Sequence, residues 1–172
     1  DNNRWAAQCV SVDASGYLRL GVHNVGGTWY CGGVESTNSL GHGVYRWQTV
    51  GRPDALNSNV VAGLGTHSAT MPGLDIEFTG GYEDAPTNLF YTVQPYYVAG
   101  HRYMGAHSFT GTLTTHEFRW APRQVRYRSW YGHSAEPPAT SAVLAAWTYE
   151  GSDIPPDTNE VVRMLAWMFN GI

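Results

Sequence analysis

From Leu74 to Phe78 the chain alternates strictly: Leu74, Ile76 and Phe78 are apolar, and Asp75 and Glu77 between them are acidic. A period of two belongs to a half-buried β-strand. Side chains two apart share a face, so three hydrophobes point one way and both carboxylates the other. Similar short runs recur along the chain. Residues 10–12 and 17–22 read as strands joined by the turn Asp13-Ala14-Ser15-Gly16, and 23–28 as a Gly-rich connection. Residues 29–36 and 43–50 read as a second pair broken at 38–41, with Tyr45 and Trp47 on one face of the latter. Residues 51–70 are small and polar, predicting loops around a short strand at 60–64. The loop 80–86 follows the acidic strand, and 88–93 is its expected neighbour. Strands are predicted at 96–107, 112–120 and 125–131, the last two joined by a turn with Pro122 at its usual position. Residues 139–149 fit a short helix or a strand equally; Pro155-Pro156 marks a loop, and 161–169 is a final strand.

About ten short strands with regular turns and no long helical period predict an all-β sandwich or jelly roll. The 172 residues suffice for one domain with a sizeable core, and no repeat or linker divides them. Twenty Gly, nine Pro and 13% aromatic residues against 14% charged ones agree with a turn-rich β-protein. Lysine is absent, and at net charge −4 there is no basic stripe. That argues against nucleic acid and anionic membrane surfaces as partners. No apolar run approaches the roughly 18 residues of a membrane span.

The candidate chemistry is concentrated in the acidic strand. Two carboxylates side by side repel, so at least one is expected to titrate above its free value, as a general acid does. The competing reading is an ordinary strand with acids on its wet face. The histidines show no metal-binding spacing, so neither metal nor cofactor is expected. Cys9 and Cys31 lack the company of a zinc site; they form either a disulfide between neighbouring strands, which suits an exported protein, or two buried free thiols.

Leu74-Asp75-Ile76-Glu77-Phe78 resembles the active-site strand of glycoside hydrolase family 16, the laminarinase and lichenase family, whose motif reads Glu-Ile-Asp-Ile-Glu-Phe. Other segments resemble the family in its own order. They are Val34–Asn38 followed by Gly41–Tyr45, then Thr87–Phe90, the hairpin His116–Val125, and Trp167-Met168-Phe169-Asn170-Gly171. The resemblance implies a concanavalin-like β-jelly-roll sandwich of two antiparallel sheets with a sugar cleft. By this resemblance the chain lacks the family's opening and closing strands, and the calcium site that draws on those ends is not carried over.

Carried over position by position, Glu77 falls on the acid/base and Asp75 on the carboxylate that tunes it, but the nucleophile falls on Gly73. A retaining glycosidase needs two carboxyls about 5–5.5 Å apart, and glycine supplies none. Three explanations follow. The chain is a non-hydrolytic relative that still holds a glucan; it is a variant with the nucleophile removed; or Asp75 or an acid of the Glu83-Asp84 loop takes over, with inversion through a water at a gap of roughly 6.5–9.5 Å. Trp167 falls on the family's cleft tryptophan, and Asn38 and Asn88 on positions that hydrogen-bond substrate. Trp29, with Tyr30, is a rim platform suggested by its Gly-rich neighbourhood alone. The function this implies is that of an extracellular, monomeric domain acting on β-1,3- or mixed-linked β-glucan, with hydrolysis in question. A non-catalytic carbohydrate-binding module using the same cleft is the alternative, and a ligand-free structural jelly roll the third possibility.

Overall fold

The computed structural model describes residues 2–69, 73–81 and 86–171. The opening Met71-Pro72 of the acidic segment and the Glu83-Asp84 loop lie outside the described residues. In chain order the strands are β1 (Val10–Val12), β2 (Leu18–Leu20), β3 (Val22–Val25), β4 (Thr28–Ser39), β5 (Gly43–Val50), β6 (Val60–His67) and β7 (Leu74–Thr79). They continue as β8 (Leu89–Val93), β9 (Arg102–Gly105), β10 (Leu113–Ala121), β11 (Gln124–Tyr131), β12 (Val143–Tyr149) and β13 (Val161–Met168). Seven form one antiparallel sheet in the order β3-β4-β13-β6-β7-β8-β9, and four form a second, β12-β11-β10-β5; β1 and β2 make a separate small hairpin. The two large sheets pack face to face as a jelly-roll sandwich, as the alternation predicted.

Their core is aromatic. Leu74, Ile76 and Phe78 of β7 are buried, as the period of two required, beside Leu89, Tyr91 and Val93 of β8. From the other sheet come Tyr45, Phe118, Trp120 and Tyr127. Tyr91 and Tyr127 stack across the sandwich at 5.0 Å. The polar tips of these rings are all used: Tyr91 donates to Ser129 Oγ at 2.7 Å and Tyr127 to the Thr92 carbonyl at 2.7 Å. His116 lies in the same core between Thr114 Oγ1 and Ser129 Oγ, and burial drives its pKa down to about 3, so it is neutral. These paired groups tie the sheets together, while the buried Thr92 Oγ1 beside them has no partner among the described residues.

Several sequence expectations change in the fold. The segments 29–36 and 43–50 do not pair with each other; β4 lies between β3 and β13, while β5 pairs with β10 in the other sheet. The short connection between them crosses from one sheet to the other. The Gly-rich stretch 23–28 is not a connection but a hairpin: Val25 pairs with Thr28 around Gly26 and Gly27, which take φ of +60° and +86°. Such a two-residue turn demands positive φ, and glycine adopts it at no steric cost. The long strand expected at 96–107 shrinks to four residues, because 94–101 is occupied by turns. Residues 139–149 open with a single turn of 3-10 helix and continue as β12. The cysteines are two buried free thiols rather than a disulfide. Each is engaged elsewhere, Cys9 donating to the Tyr30 carbonyl at 3.4 Å and Cys31 to Asn3 Oδ1 at 3.2 Å.

Candidate active site

Strand register builds the site. On β7, Glu77 stands opposite Gly63 of β6 and Phe90 of β8, and Asp75 opposite Gly65 and Thr92. One strand further out, Leu165 and Arg163 of β13 stand opposite Gly63 and Gly65. On the other side Met104 and Arg102 of β9 stand opposite Phe90 and Thr92. Partners in register share a face. Two rows therefore cross the outer face of the large sheet, Leu165-Gly63-Glu77-Phe90-Met104 and Arg163-Gly65-Asp75-Thr92-Arg102. The β6 members of both rows are glycines, so no side chain from β6 screens the carboxylates. A Cβ at Gly63 would meet nothing nearer than Leu165 and the Trp167 indole nitrogen, each at 4.0 Å.

A groove runs over this floor. Glu77, Trp167, Phe169 and Arg163 line a cavity of about 490 Å³ on one side. Glu77, Trp167 and Phe169 also line the adjoining cavity of about 280 Å³, with Phe90, Tyr96 and Arg102. The Arg102 guanidinium lies 4.3 Å over the Phe90 ring, Tyr96 is exposed and Phe169 partly so. Flat apolar rings around a polar floor are the composition of a sugar-binding cleft.

The two acids are not equivalent. Gln94 donates from Nε2 to Asp75 Oδ2 at 2.8 Å, while its Oε1 accepts from the Tyr96 backbone at 3.0 Å. Burial raises Asp75 to about 6; the Gln94 hydrogen bond and the charges of Arg163 and Arg102 hold that rise in check. Glu77 makes no hydrogen bond or ion pair among the described residues. Burial, then the neighbouring Asp75 charge, raises it to about 7. A proton shared by the pair thus rests on Glu77 rather than on Asp75.

Residue 73, next on this face, has no room for a side chain. Gly73 faces the same side as Asp75 and Glu77, but a Cβ there would lie 2.1 Å from the Thr66 carbonyl oxygen. No side chain fits without moving backbone. Among the described residues Glu35 on β4 is the next acid across this face, three strand spacings from β7, about 14 Å, and it pairs with Arg163. Neither gap that glycosidases use is met there.

Of the residues expected at the site, Glu77, Asp75 and Trp167 come together. Asn88 does not reach the groove: its Nδ2 donates to the His107 carbonyl at 2.7 Å and its Oδ1 accepts from the His107 backbone at 3.0 Å. Asn38 lies at the exposed end of β4, where its carbonyl accepts from Ser36 Oγ. Trp29 stands opposite Asn24 in the β3–β4 hairpin at the sheet edge, exposed but apart from Glu77. Residues the sequence did not single out are Phe90, Gln94, Tyr96, Arg102, Arg163 and Trp5. The alternation that placed Glu77 would also have placed Phe90 and Arg102, had the pairing of β7, β8 and β9 been known. Among the described residues no cluster of His, Cys, Asp or Glu is arranged to hold a metal.

No family model matches the sequence, and no curated protein matches it. Solved structures do match the fold. A Bacillus licheniformis β-glucanase superposes with a TM-score of 0.72 at 22% identity, over 97% of this chain and 72% of that one. A β-1,3-1,4-glucanase (lichenase) from a mouse hindgut metagenome superposes at 0.69 and 16% identity, over 97% and 73%. A glycosyl hydrolase family 16 protein from Mycobacterium smegmatis superposes at 0.60 and 18% identity, over 92% and 67%. The chain therefore has the jelly-roll fold of the family 16 β-glucanases.

Proposed function

We propose that this chain is a family-16-like domain that holds β-1,3- or mixed-linked β-glucan in the groove over Glu77 and does not cleave it by the retaining route. What supports the reading is an open acidic floor together with the lack of room for a side chain at residue 73, where the family likeness would put the nucleophile. Glu77 and Trp167 line the groove, while the Thr66 carbonyl fills the space a side chain at residue 73 would need. Binding needs the rings and the floor; double displacement needs a carboxyl that this backbone leaves no room for. The likeness in fold to β-glucanases supports glucan as the ligand class. On this reading the domain works outside the cell as a monomer.

Affinity electrophoresis in laminarin or barley glucan, run beside a reducing-sugar assay, tests it. The expected result is retarded migration with no sugar released, and retardation kept in Glu77→Gln. A second reading rests on the elevated Glu77, which is suited to proton donation near neutral pH. Sugar release that disappears in Glu77→Gln would favour that hydrolytic reading over the first. Absence of both binding and release would leave a jelly roll without a glycan ligand.

A further inference from the structure

His116 and His101 are both buried in the sandwich, but the groups around them differ. His116 sits between two hydroxyls and is neutral. His101 closes the foot of the turn segment 94–101 that joins β8 to β9. Its backbone carbonyl accepts from Val93 N at 2.9 Å, and its ring Nδ1 lies 3.0 Å from the Val93 carbonyl. A carbonyl oxygen only accepts, so Nδ1 carries a proton. At the other nitrogen, Nε2 lies 2.7 Å from Asp153 Oδ2 and 2.8 Å from the Tyr149 hydroxyl. Tyr149 ends β12 of the small sheet, and its hydroxyl also donates to Asp153 Oδ1. Desolvation, then the Asp153 carboxylate, pushes this phenol up to about 12, so it keeps its proton. The Tyr149 hydrogen bond holds Asp153 below the usual carboxylate range, so this acid is ionised at neutral pH. The phenol has one proton and gives it to Asp153. The contact between Nε2 and Asp153 Oδ2 then needs a proton of its own, and only the imidazole can supply it. Among the described residues no other titratable group is hydrogen-bonded to this ring or paired with it.

We propose that His101 is an imidazolium and a positioning residue: its two N–H groups clasp Val93 to Asp153 and so fix the turn that presents Gln94 and Tyr96 to the groove. The turn reaches the groove through a short series of bonds. Gln94 N donates to the Gly73 carbonyl at 3.0 Å, and the Gln94 side chain joins Asp75 Oδ2 to the Tyr96 backbone. Tyr96 lines the cavity beside Glu77. Two further backbone bonds, Val98 N to the Pro95 carbonyl and His101 N to the Val98 carbonyl, are internal to the turn and do not fix it against the sheets. The clasp does, because Tyr149 and Asp153 come from the end of the opposite sheet. Opening it frees Gln94 to leave Asp75. An Asp75 without this bond titrates higher, since burial is then less opposed. The inference rests on the glucan reading above only for what the turn serves; the charge on His101 and its hold on Gln94 stand apart from it.

Nitrogen-15 and carbon-13 NMR of the whole chain tests both parts. At neutral pH both ring nitrogens of His101 should show imidazolium shifts, beside the neutral pattern of His116. Asp153→Asn, at an exposed position that does not threaten folding, should convert His101 to a neutral tautomer and raise the Asp75 carboxyl midpoint by about half a pH unit. Asp153→Glu should keep the imidazolium and the wild-type midpoint. Gln94→Ala should give the same Asp75 shift with His101 still charged, and combining it with Asp153→Asn should add nothing further. Affinity for laminarin should fall several-fold in Asp153→Asn and be retained in Asp153→Glu. A neutral His101 in the wild type would overturn the proposal. An Asp75 midpoint unmoved by Asp153→Asn would overturn it as well, because the clasp would then serve the fold and not reach the groove. Failure of the wild type to bind laminarin would remove the glucan reading alone, and the NMR outcomes would still decide the clasp.

Discussion

Glu77 on the large sheet and Glu117 on the small one are both strand carboxylates facing away from the core, yet their surroundings are opposite. Glu117 is fully buried under Arg46, Arg119 and Arg128, with hydrogen bonds of 2.9 Å from Arg46 Nε and 2.7 Å from Arg119 Nε. Glu136 closes the network by pairing with Arg119 and Arg128. Burial alone would raise Glu117, but the bonds from Arg119, Arg46 and Arg128 outweigh it and its pKa lies below the ordinary glutamate value. Glu77 has no such ring, and burial with Asp75 beside it sends its pKa the other way. A carboxylate whose charge is fully answered holds a sheet together. One left unanswered at the floor of a groove is the group the proposed glucan site rests on.

The largest effect expected from breaking this contrast is at Glu117. Glu117→Leu takes the shared carboxylate from three guanidiniums, leaving Arg119 and Arg128 with Glu136, and should cost about 3 kcal/mol of stability, read as a lowered denaturation midpoint, with glucan binding intact in the folded fraction. A result near zero would mean the arginines are satisfied by water and that the network is decoration. Gly73→Ala comes next. Its methyl group meets the Thr66 carbonyl and should cost about 2 kcal/mol. On the proposed reading azide or formate should fail to create turnover in the wild type, since the Thr66 carbonyl occupies the space beside Gly73. Rescue by either anion would show that the backbone at Thr66 moves aside.

The pH dependence separates the two acids in sign. Glu77 and Asp75 titrate higher folded than unfolded, so the folded state holds more protons. The stability they contribute is complete below about pH 4 and is lost as pH rises to about 7. Glu117 titrates lower when folded, so its contribution is present above about pH 4.5 and fades as pH falls below that. Glu77→Gln should therefore gain about 2 kcal/mol on wild type at pH 8 and almost nothing at pH 4, measured by chemical denaturation at both. An equal gain at both values would place the cause in packing. The smallest effect belongs to the solvent-facing pair at the groove wall. Removing the Glu35–Arg163 pair by Glu35→Gln should leave stability within about 0.5 kcal/mol, so any loss of glucan affinity in that variant reports on the ligand.

The acidic strand, its buried hydrophobes and the sandwich class were legible in the sequence, because alternation is a local property that burial on one face imposes. Trp167 was legible only through its neighbours Asn170 and Gly171, by likeness to a known motif. Asn88 shows the limit of that method. Its position matched, but whether an amide faces ligand or clasps a loop depends on where His107 passes, nineteen residues on. The β4–β5 pairing went wrong for a related reason: a short connection suggests a hairpin, and nothing local says that the chain is changing sheets.

What the sequence determined by itself was the alternation of residues 74–78, and with it which carboxylates share a face. Tertiary structure alone decided that Glu77 goes unpaired among the described residues while Glu117 is ringed by arginine, that Trp5 reaches the groove, and that the Thr66 carbonyl closes the space at Gly73. Those outcomes depend on which strands lie side by side and in what register. Pairing across sequence distances of tens to more than a hundred residues is set by the packing of the whole core, which no short stretch encodes.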